Sequence, residues 1–307
     1  MFKLSKLKNP FFHVDLVTNY TVISGKASEG LAKKLAKKIR AKYVKSELRV
    51  FPDGESKITI RSKLKKGKII VVQSTFPPVD SNLIQALALI SKAKQYSLNV
   101  IAVIPYLGYA RQDQEFLPGE IVTIKILANL FKAAGASKII VVDIHSKIAL
   151  KQFKISAKNV SAVPTLVQYF KKLRLKHPLV VSPDLGGAAR AKEFAKYFGT
   201  KYISLKKQRN KKTGKVLIKS SNLKTVKGRD LVLVDDMIST GGSIIKATEF
   251  LKKQNCKRVF VACTHALLMN NAEKKIRKAG VSQIISTNTI PGKTAKVDVS
   301  SSIAKVI

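Results

Sequence analysis

Two adjacent carboxylates, Asp235 and Asp236, are followed closely by Ser239, Thr240, Gly241, Gly242 and Ser243. The residues before them, Val232-Leu233-Val234, read as a buried strand, and those from Gly242 to about Gln254 read as a helix. Carboxylates accept hydrogen bonds from the vicinal hydroxyls of a ribose. The Gly241-Gly242 pair lets backbone N–H groups close around a phosphate, and the positive end of the following helix favours the anion. Together these residues suit a sugar phosphate. The plain alternative is a strand–turn–helix link with an N-cap, but such a link has no need of two carboxylates at the strand end.

Other residues of chemical interest stand at similar places. Asp53 and Glu55 flank Gly54 in a turn after Phe51-Pro52, where acceptors can read a base amino group or a ribose; a polar hairpin turn is the alternative. Arg111 and Gln112 follow a strand, and the forked guanidinium suits phosphate oxygens, with a surface salt bridge as the alternative. His145 lies two residues beyond Asp143 at one strand end, and Asp184 lies at the tip of another. A lone histidine there is more often structural than a ligand, and spacing alone does not assign the pair to a metal. Lys206 to Gly214 forms a polar, glycine-ended loop between apolar strands, which on its own reads as a solvated basic hairpin.

The elements that must hold these residues alternate between strand and helix along the chain, the pattern of parallel sheets covered by helices. Strands are expected at 20–23, 69–73, 100–104, 139–143, 179–182, 231–235, 258–263 and 283–286. Helices are expected at 28–40, 81–94, 120–134, 164–173, 186–198, 242–254 and 270–279. Ser28 is a candidate cap, with Leu31, Leu35 and Ile39 forming one apolar stripe. Short antiparallel strands fit between Val44 and Ile60. The rhythm of 139–146 resembles that of 231–239, a weak sign of duplication. Ligands in such folds bind beyond the carboxyl ends of strands, where nearly all the polar clusters fall.

A chain of 307 residues accommodates two domains of about 150 residues, with the crossing between Phe153 and Val163. No apolar run reaches the roughly 18 residues of a membrane span, and Met1 to Lys8 offers no signal-peptide core. Cys256 and Cys263 are too few for a disulfide framework, so a reduced, cytoplasmic protein is expected. The net charge is +40, and 201–229 holds eleven basic residues and no acidic one. Such an excess attracts polyanions, but it is mainly lysine without interleaved aromatic platforms. Specific nucleic-acid recognition is therefore not expected. Gly292-Lys293-Thr294 imitates the end of a Walker A loop, yet Thr287 stands where its first glycine belongs.

Several of these segments resemble ribose-phosphate pyrophosphokinases. Phe51-Pro52-Asp53-Gly54-Glu55 is similar to the family's F-x-D-G-E stretch, and Pro105 to Asp113 to its P-Y-x-x-Y-A-R-Q-D motif. Val142-Asp143-Ile144-His145 resembles V-D-L-H, Ser182 to Ala188 resembles S-P-D-x-G-G-A, and Val234 to Ser243 resembles the phosphoribosyl pyrophosphate (PRPP) loop. A type I phosphoribosyltransferase, the nearest alternative, shares only the last of these.

The resemblance implies an α/β fold of two tandem phosphoribosyltransferase-like domains, each a mainly parallel sheet flanked by helices. The expected division is 1–155, carrying ATP motifs, and 156–307, carrying the ribose-5-phosphate loop, with the last residues packing back on the first domain. It further implies transfer of the β,γ-diphosphoryl group of Mg-ATP to the C1 hydroxyl of ribose 5-phosphate, giving PRPP and AMP. ATP falls to Phe51, Asp53, Glu55, Arg111 and Gln112. Ribose 5-phosphate falls to Arg209, Asp235, Asp236, Ser239, Thr240, Gly241, Gly242 and Ser243. Mg²⁺ falls to His145 and Asp184, and catalysis to Lys207 and Arg209 on a closing loop.

The family also implies a homo-oligomer, a dimer or larger, with no membrane partner. Ser239 stands where many relatives have Asp, Ser243 where many have Thr, and Gln114-Glu115 where basic residues are common. The stretch Phe116 to Glu120 looks most like archaeal members. A catalytically silent regulatory homologue is a further alternative, against which the retained His145, Asp184, Lys207 and Arg209 speak.

Overall fold

The computed structural model describes residues 20–209, 216–219 and 225–307, with the backbone alone for 207–209 and 216–219. The first half begins with β1 (Tyr20–Ser24), α1 (Glu29–Lys38), β2 (Lys42–Lys45) and the hairpin β3 (Glu47–Val50) and β4 (Ser56–Thr59). It continues with β5 (Lys68–Val72), α2 (Val79–Lys94), β6 (Val100–Ile104), α3 (Thr123–Ala133), β7 (Lys138–Val142), α4 (Lys147–Lys151) and β8 (Ser156–Val160). The second half begins with α5 (Val163–Lys171), β9 (Leu179–Ser182), α6 (Ala188–Phe198), β10 (Tyr202–Ser204) and the hairpin β11 (Lys206–Arg209) and β12 (Val216–Lys219). Then come β13 (Asp230–Ile238), α7 (Gly242–Lys253), β14 (Arg258–Ala266), α8 (Ala272–Lys278), β15 (Val281–Thr287), β16 (Ala295–Val297) and α9 (Ser300–Ala304).

Runs such as Ile69–Val72 and Ile139–Val142 are β-branched throughout and buried on both faces, so they form the centre of a parallel sheet. The first sheet has the order β2-β1-β5-β6-β7-β8 and the second β10-β9-β13-β14-β15-β16, with parallel pairing throughout. Replacing β1–β8 by β9–β16 converts one order into the other, and each half carries one antiparallel hairpin at the same point in its chain order. The duplication is thus real, but the counterpart of β13 is β5. The resemblance of rhythm between 139–146 and 231–239 pairs strands that are not equivalent.

The first sheet extends beyond the expected junction at 155/156. Ser156–Val160 pairs with β7, and only one residue of β8 is fully buried, so no apolar run announces it. Likewise β13 runs three residues past the expected Asp235, which puts both carboxylates inside the strand. Ser28 does precede α1 but caps nothing; its Oγ accepts a hydrogen bond from the Ser74 N–H at 2.8 Å instead.

Alternation along each strand sends side chains to two layers. Ile69 and Val71 face a core under α2 and α3, while Leu231 and Leu233 face one under α7 and α8. Ile70, Val72, Val232 and Val234 share a third core with α1, α5 and α6, so the two halves are joined by apolar packing. Helix α9 lies against α1, and Lys138 Nζ donates to the Val306 carbonyl.

Polar bonds join the carboxyl ends of the strands. Ser74 Oγ donates to the Thr289 carbonyl (2.6 Å), Thr264 Oγ1 to Asp143 Oδ2 (2.5 Å), and His265 Nε2 to the Val142 carbonyl (2.9 Å). The tips of both sheets therefore face each other across one cleft. Among the described residues no helix is long and apolar enough to cross a membrane.

Candidate active site

The cleft encloses a cavity of about 630 Å³. From the second half it is lined by Asp184, Gly186, Gly187 and Arg190, and by the continuous run Asp235–Ile244 with Lys246. From the first half come Arg111 and His145. The structure thus brings together the sequence-predicted Arg111, His145, Asp184, Asp235, Asp236, Ser239, Thr240, Gly241, Gly242 and Ser243.

The loop between β13 and α7 joins a left-handed glycine to a helix start, an arrangement able to take an anion. Gly241 has φ +78°, and a Cβ there would lie 2.8 Å from Ile276 Cδ1, so only glycine makes the turn without strain. Gly242 opens the twelve-residue α7, lines the cavity and has no neighbouring side chain within 4 Å of its Cβ position, and a helix start carries N–H groups without intrahelical partners. The Leu268 and Met269 N–H groups donate to the Ile238 and Ser239 carbonyls, which fixes the loop on the β14–α8 connection.

The carboxylates are electrically unequal. Burial, reinforced by the charge of Asp236, pushes the Asp235 carboxyl above the usual carboxylate range. Burial also acts on Asp236, but the His145 hydrogen bond and the nearby Arg190 outweigh it and hold that carboxyl well below the usual range. His145 Nδ1 lies 2.6 Å from Asp236 Oδ2, joining the halves. With Asp236 accepting, Nδ1 is the donor of this bond.

Behind His145, Asp143 adopts φ +39° and is tied by the Ala162 N–H and Thr264 hydroxyl, while the Ile144 N–H binds Asn159 Oδ1 on β8. The unpredicted strand β8 therefore braces the segment that aims the histidine. Burial pushes His265 down to about 4, so it is neutral near pH 7 and serves the joint between halves.

Asp184 Oδ1 accepts the Gly187 N–H at 3.1 Å, which orients the carboxylate at the cavity edge. No cluster of three or more His, Cys, Asp or Glu side chains that could hold a metal occurs among the described residues. His145 and Asp184 are two donors on one cavity, a number that suits a hydrated hard cation sharing its shell with phosphate oxygens.

Not every expected residue converges here. Phe51, Asp53 and Glu55 sit on the β3–β4 hairpin and do not line the cavity; Arg49 stacks over the Phe51 ring at 5.0 Å, and Asp53 Oδ1 accepts the Glu55 N–H. Gln112 is also outside the lining, its backbone engaged with Tyr109 and Ile124. Lys207 and Arg209 lie on β11, and their side chains are outside the described residues. Arg190 and Lys246 are cavity residues that the sequence reading missed. Arg190 stands three residues beyond the Gly186-Gly187 pair, on the first turn of α6.

Comparison with known proteins agrees with this geometry. Residues 20–135 match the family model described as the N-terminal domain of ribose phosphate pyrophosphokinase, and residues 149–300 match the phosphoribosyl transferase domain. The ribose-phosphate pyrophosphokinase of Sulfurisphaera tokodaii is 37% identical over 290 residues, covering 93% of this chain and 99% of the relative. That of Methanobrevibacter smithii is 36% identical over 296 residues, covering 93% and 99%. The crystal structure of phosphoribosylpyrophosphate synthetase from Mycobacterium smegmatis superposes with a TM-score of 0.83 at 27% identity, covering 94% of this chain and 97% of that one. Two phosphoribosyltransferase-type halves, one shared cleft and near full-length similarity lead to one conclusion: this chain belongs to the ribose-phosphate pyrophosphokinase family.

Proposed function

We propose that this enzyme transfers the β,γ-diphosphoryl group of Mg-ATP to the C1 hydroxyl of ribose 5-phosphate, releasing AMP. The observation that carries this reading is the single cavity into which an acidic pair, a glycine-rich helix start, an arginine and a histidine project from both halves. Ser239–Ser243 and the start of α7 bind the 5-phosphate. Asp235 and Asp236 accept the ribose hydroxyls and orient the sugar.

The C1 oxygen then attacks the β-phosphorus in line. The bond from that phosphorus to the oxygen bridging the α-phosphate breaks, AMP leaves with the bridging oxygen, and the hydroxyl proton passes to water. Positioning and charge neutralisation dominate such transfers. Arg111 supplies donors to ATP phosphates, and Lys207 and Arg209 are assigned to the charge that develops on the transferring oxygens. Mg²⁺ would be held by His145 and Asp184 and would offset phosphoryl charge.

The hairpin bearing Phe51, Asp53 and Glu55 lies off the cavity of its own chain, so we assign completion of the ATP site, together with Gln112, to a homo-oligomer. Mixing an Asp53→Ala/Glu55→Ala variant with a His145→Ala variant tests this. Activity recovered in the mixture supports shared sites, and additive inactivity refutes them.

The reaction is tested by incubating the protein with ATP, Mg²⁺ and ribose 5-phosphate and separating the nucleotides. AMP and PRPP appearing one for one establish diphosphoryl transfer, with Lys207→Ala as the loop control. ADP in place of AMP means monophosphoryl transfer. No turnover by folded protein across phosphate concentrations refutes the assignment.

A further inference from the structure

Two neighbouring carboxylates are an unfavourable feature in a cavity that must admit polyanions, and the fold supplies a specific answer. Arg190 is held by α6, whose Ala191, Phe194 and Ala195 pack into the core, so the helix cannot easily shift. Its side chain is only 20% exposed. Nη1 lies 3.5 Å from Asp236 Oδ1 and 3.9 Å from Asp235 Oδ1, within ion-pair range of both. His145 hydrogen-bonds the other oxygen of Asp236, so this carboxylate has a hydrogen-bond partner from the first half and a nearby cation from the second, with acceptor capacity left over. Asp235 Oδ1 also receives the Asp236 N–H at 2.9 Å.

The lengths are informative. A committed guanidinium–carboxylate hydrogen bond measures about 2.7–2.9 Å. At its longer separations Arg190 balances the pair electrostatically without capping either carboxylate. Their lone pairs remain for ribose hydroxyls.

The geometry points to Arg190 as the residue that positions and charge-balances the Asp235–Asp236 pair for ribose 5-phosphate, making it a specificity determinant of that subsite. This inference rests on the proposed substrate. Both approaches are made by the one Nη1 atom, and a lysine cannot reproduce them fully, because its ammonium is more strongly hydrated and rides on a flexible stem, whereas the guanidinium is rigid and planar. Loss of the charge leaves the carboxylates repelling one another and the substrate. The defect therefore falls on ribose 5-phosphate and not on ATP.

Arg190→Gln and Arg190→Lys test this by steady-state kinetics with each substrate varied, and by calorimetric titration with ribose 5-phosphate alone. Arg190→Gln is expected to raise KM and Kd for ribose 5-phosphate by about 10–30-fold while KM for ATP changes less than about twofold, in line with loss of one charged contact. Arg190→Lys recovers part of that loss. In an Asp235→Asn background, where repulsion is already relieved, Arg190→Gln costs at least fivefold less than this, the coupling of groups that share one task.

Equal losses toward both substrates, a fall in kcat alone, or an undiminished effect in the Asp235→Asn background overturn the inference. If Arg190→Gln does not fold, Arg190→Lys decides between these outcomes. Ribose 5-phosphate failing to bind the unaltered protein refutes the substrate reading instead, and so separates the two failures.

Discussion

The turn after β13 sets two adjacent glycines against each other. Replacing Gly241 by alanine places a methyl group at φ +78°, where an L-residue loses about 1–2 kcal/mol. The new Cβ would also lie 2.8 Å from Ile276 Cδ1, 3.0 Å from its Cγ1 and 3.5 Å from Ala272 Cβ. Ile276 is fully buried on α8 and has no solvent into which to move, so overpacking adds about 1–3 kcal/mol. The loss should total about 2–5 kcal/mol, or roughly 1 M in the urea midpoint.

Gly242→Ala has the opposite sign. The residue opens α7, nothing lies within 4 Å of the added methyl, and reduced freedom of the unfolded chain contributes up to about 1 kcal/mol of stability. That open space is the proposed phosphate cradle, so Gly242→Ala should raise KM for ribose 5-phosphate about tenfold in a fully folded protein. Urea unfolding followed by circular dichroism, with ribose 5-phosphate titrations, separates the two effects. Equal midpoints for the two variants, or Gly242→Ala binding substrate normally, would refute the account of the loop.

Other consequences follow from the charges. Because burial and Asp236 raise Asp235, kcat/KM for ribose 5-phosphate should climb with pH along a limb above the ordinary carboxylate value of about 4, and Asp235→Asn should remove that limb from the pH–rate profile. The Arg258 hydrogen bond depresses the Asp230 carboxyl despite burial, so its stabilising effect is complete above the unfolded pKa of about 4 and is lost as pH falls through the lower folded value. Arg258→Ala should cost about 2 kcal/mol near neutral pH, less than a fully buried pair because Arg258 is 43% exposed, and urea unfolding should show the difference shrinking in acid. The +40 charge should give DNA binding at low salt, without sequence preference, that is lost by about 0.2 M salt in a filter-binding series.

Much of the architecture was legible because central parallel strands are apolar on both faces, so Ile69–Val72 and Ile139–Val142 identify themselves. The residues from Asp235 to Ser243 were legible as cavity residues because adjacent carboxylates at a strand end are costly without a partner. Strand β8 was not, since Ser156–Val160 lies at a sheet edge with one buried side chain. Arg190 was hidden for another reason. Nothing in Ala189-Arg190-Ala191 names its partners, which lie some 45 residues away on β13 and meet it only in three dimensions. A usable signal did exist: only ten of the 58 basic residues are arginine. Several of these, including Arg61, Arg258 and Arg277, make defined hydrogen bonds to carboxylates. In so lysine-rich a chain, arginine marks geometry and not merely charge.

The equivalence of β5 and β13 explains how two similar halves came to hold a single site of this kind. Each strand ends in a hydroxyl-bearing segment that leads to a helix, Ser74-Thr75 before α2 and Ser239-Thr240 before α7. In the second half that segment lines the cavity. In the first half it is buried and its hydrogen bonds are consumed internally. Ser74 Oγ binds the Thr289 carbonyl and the Tyr106 N–H, and Thr75 Oγ1 receives the Gly108 N–H, which sits where a Cβ would strike Val79. The same topological position thus lines the cavity in one half and binds the other half in its counterpart. Because Ser74 is anchored to the loop after β15, while Asp143 and Val142 are anchored to β14, the joint fixes His145 opposite Asp236. The closed, hydrogen-bonded segment of the first half is therefore tied to the placement of the cavity residues in the second.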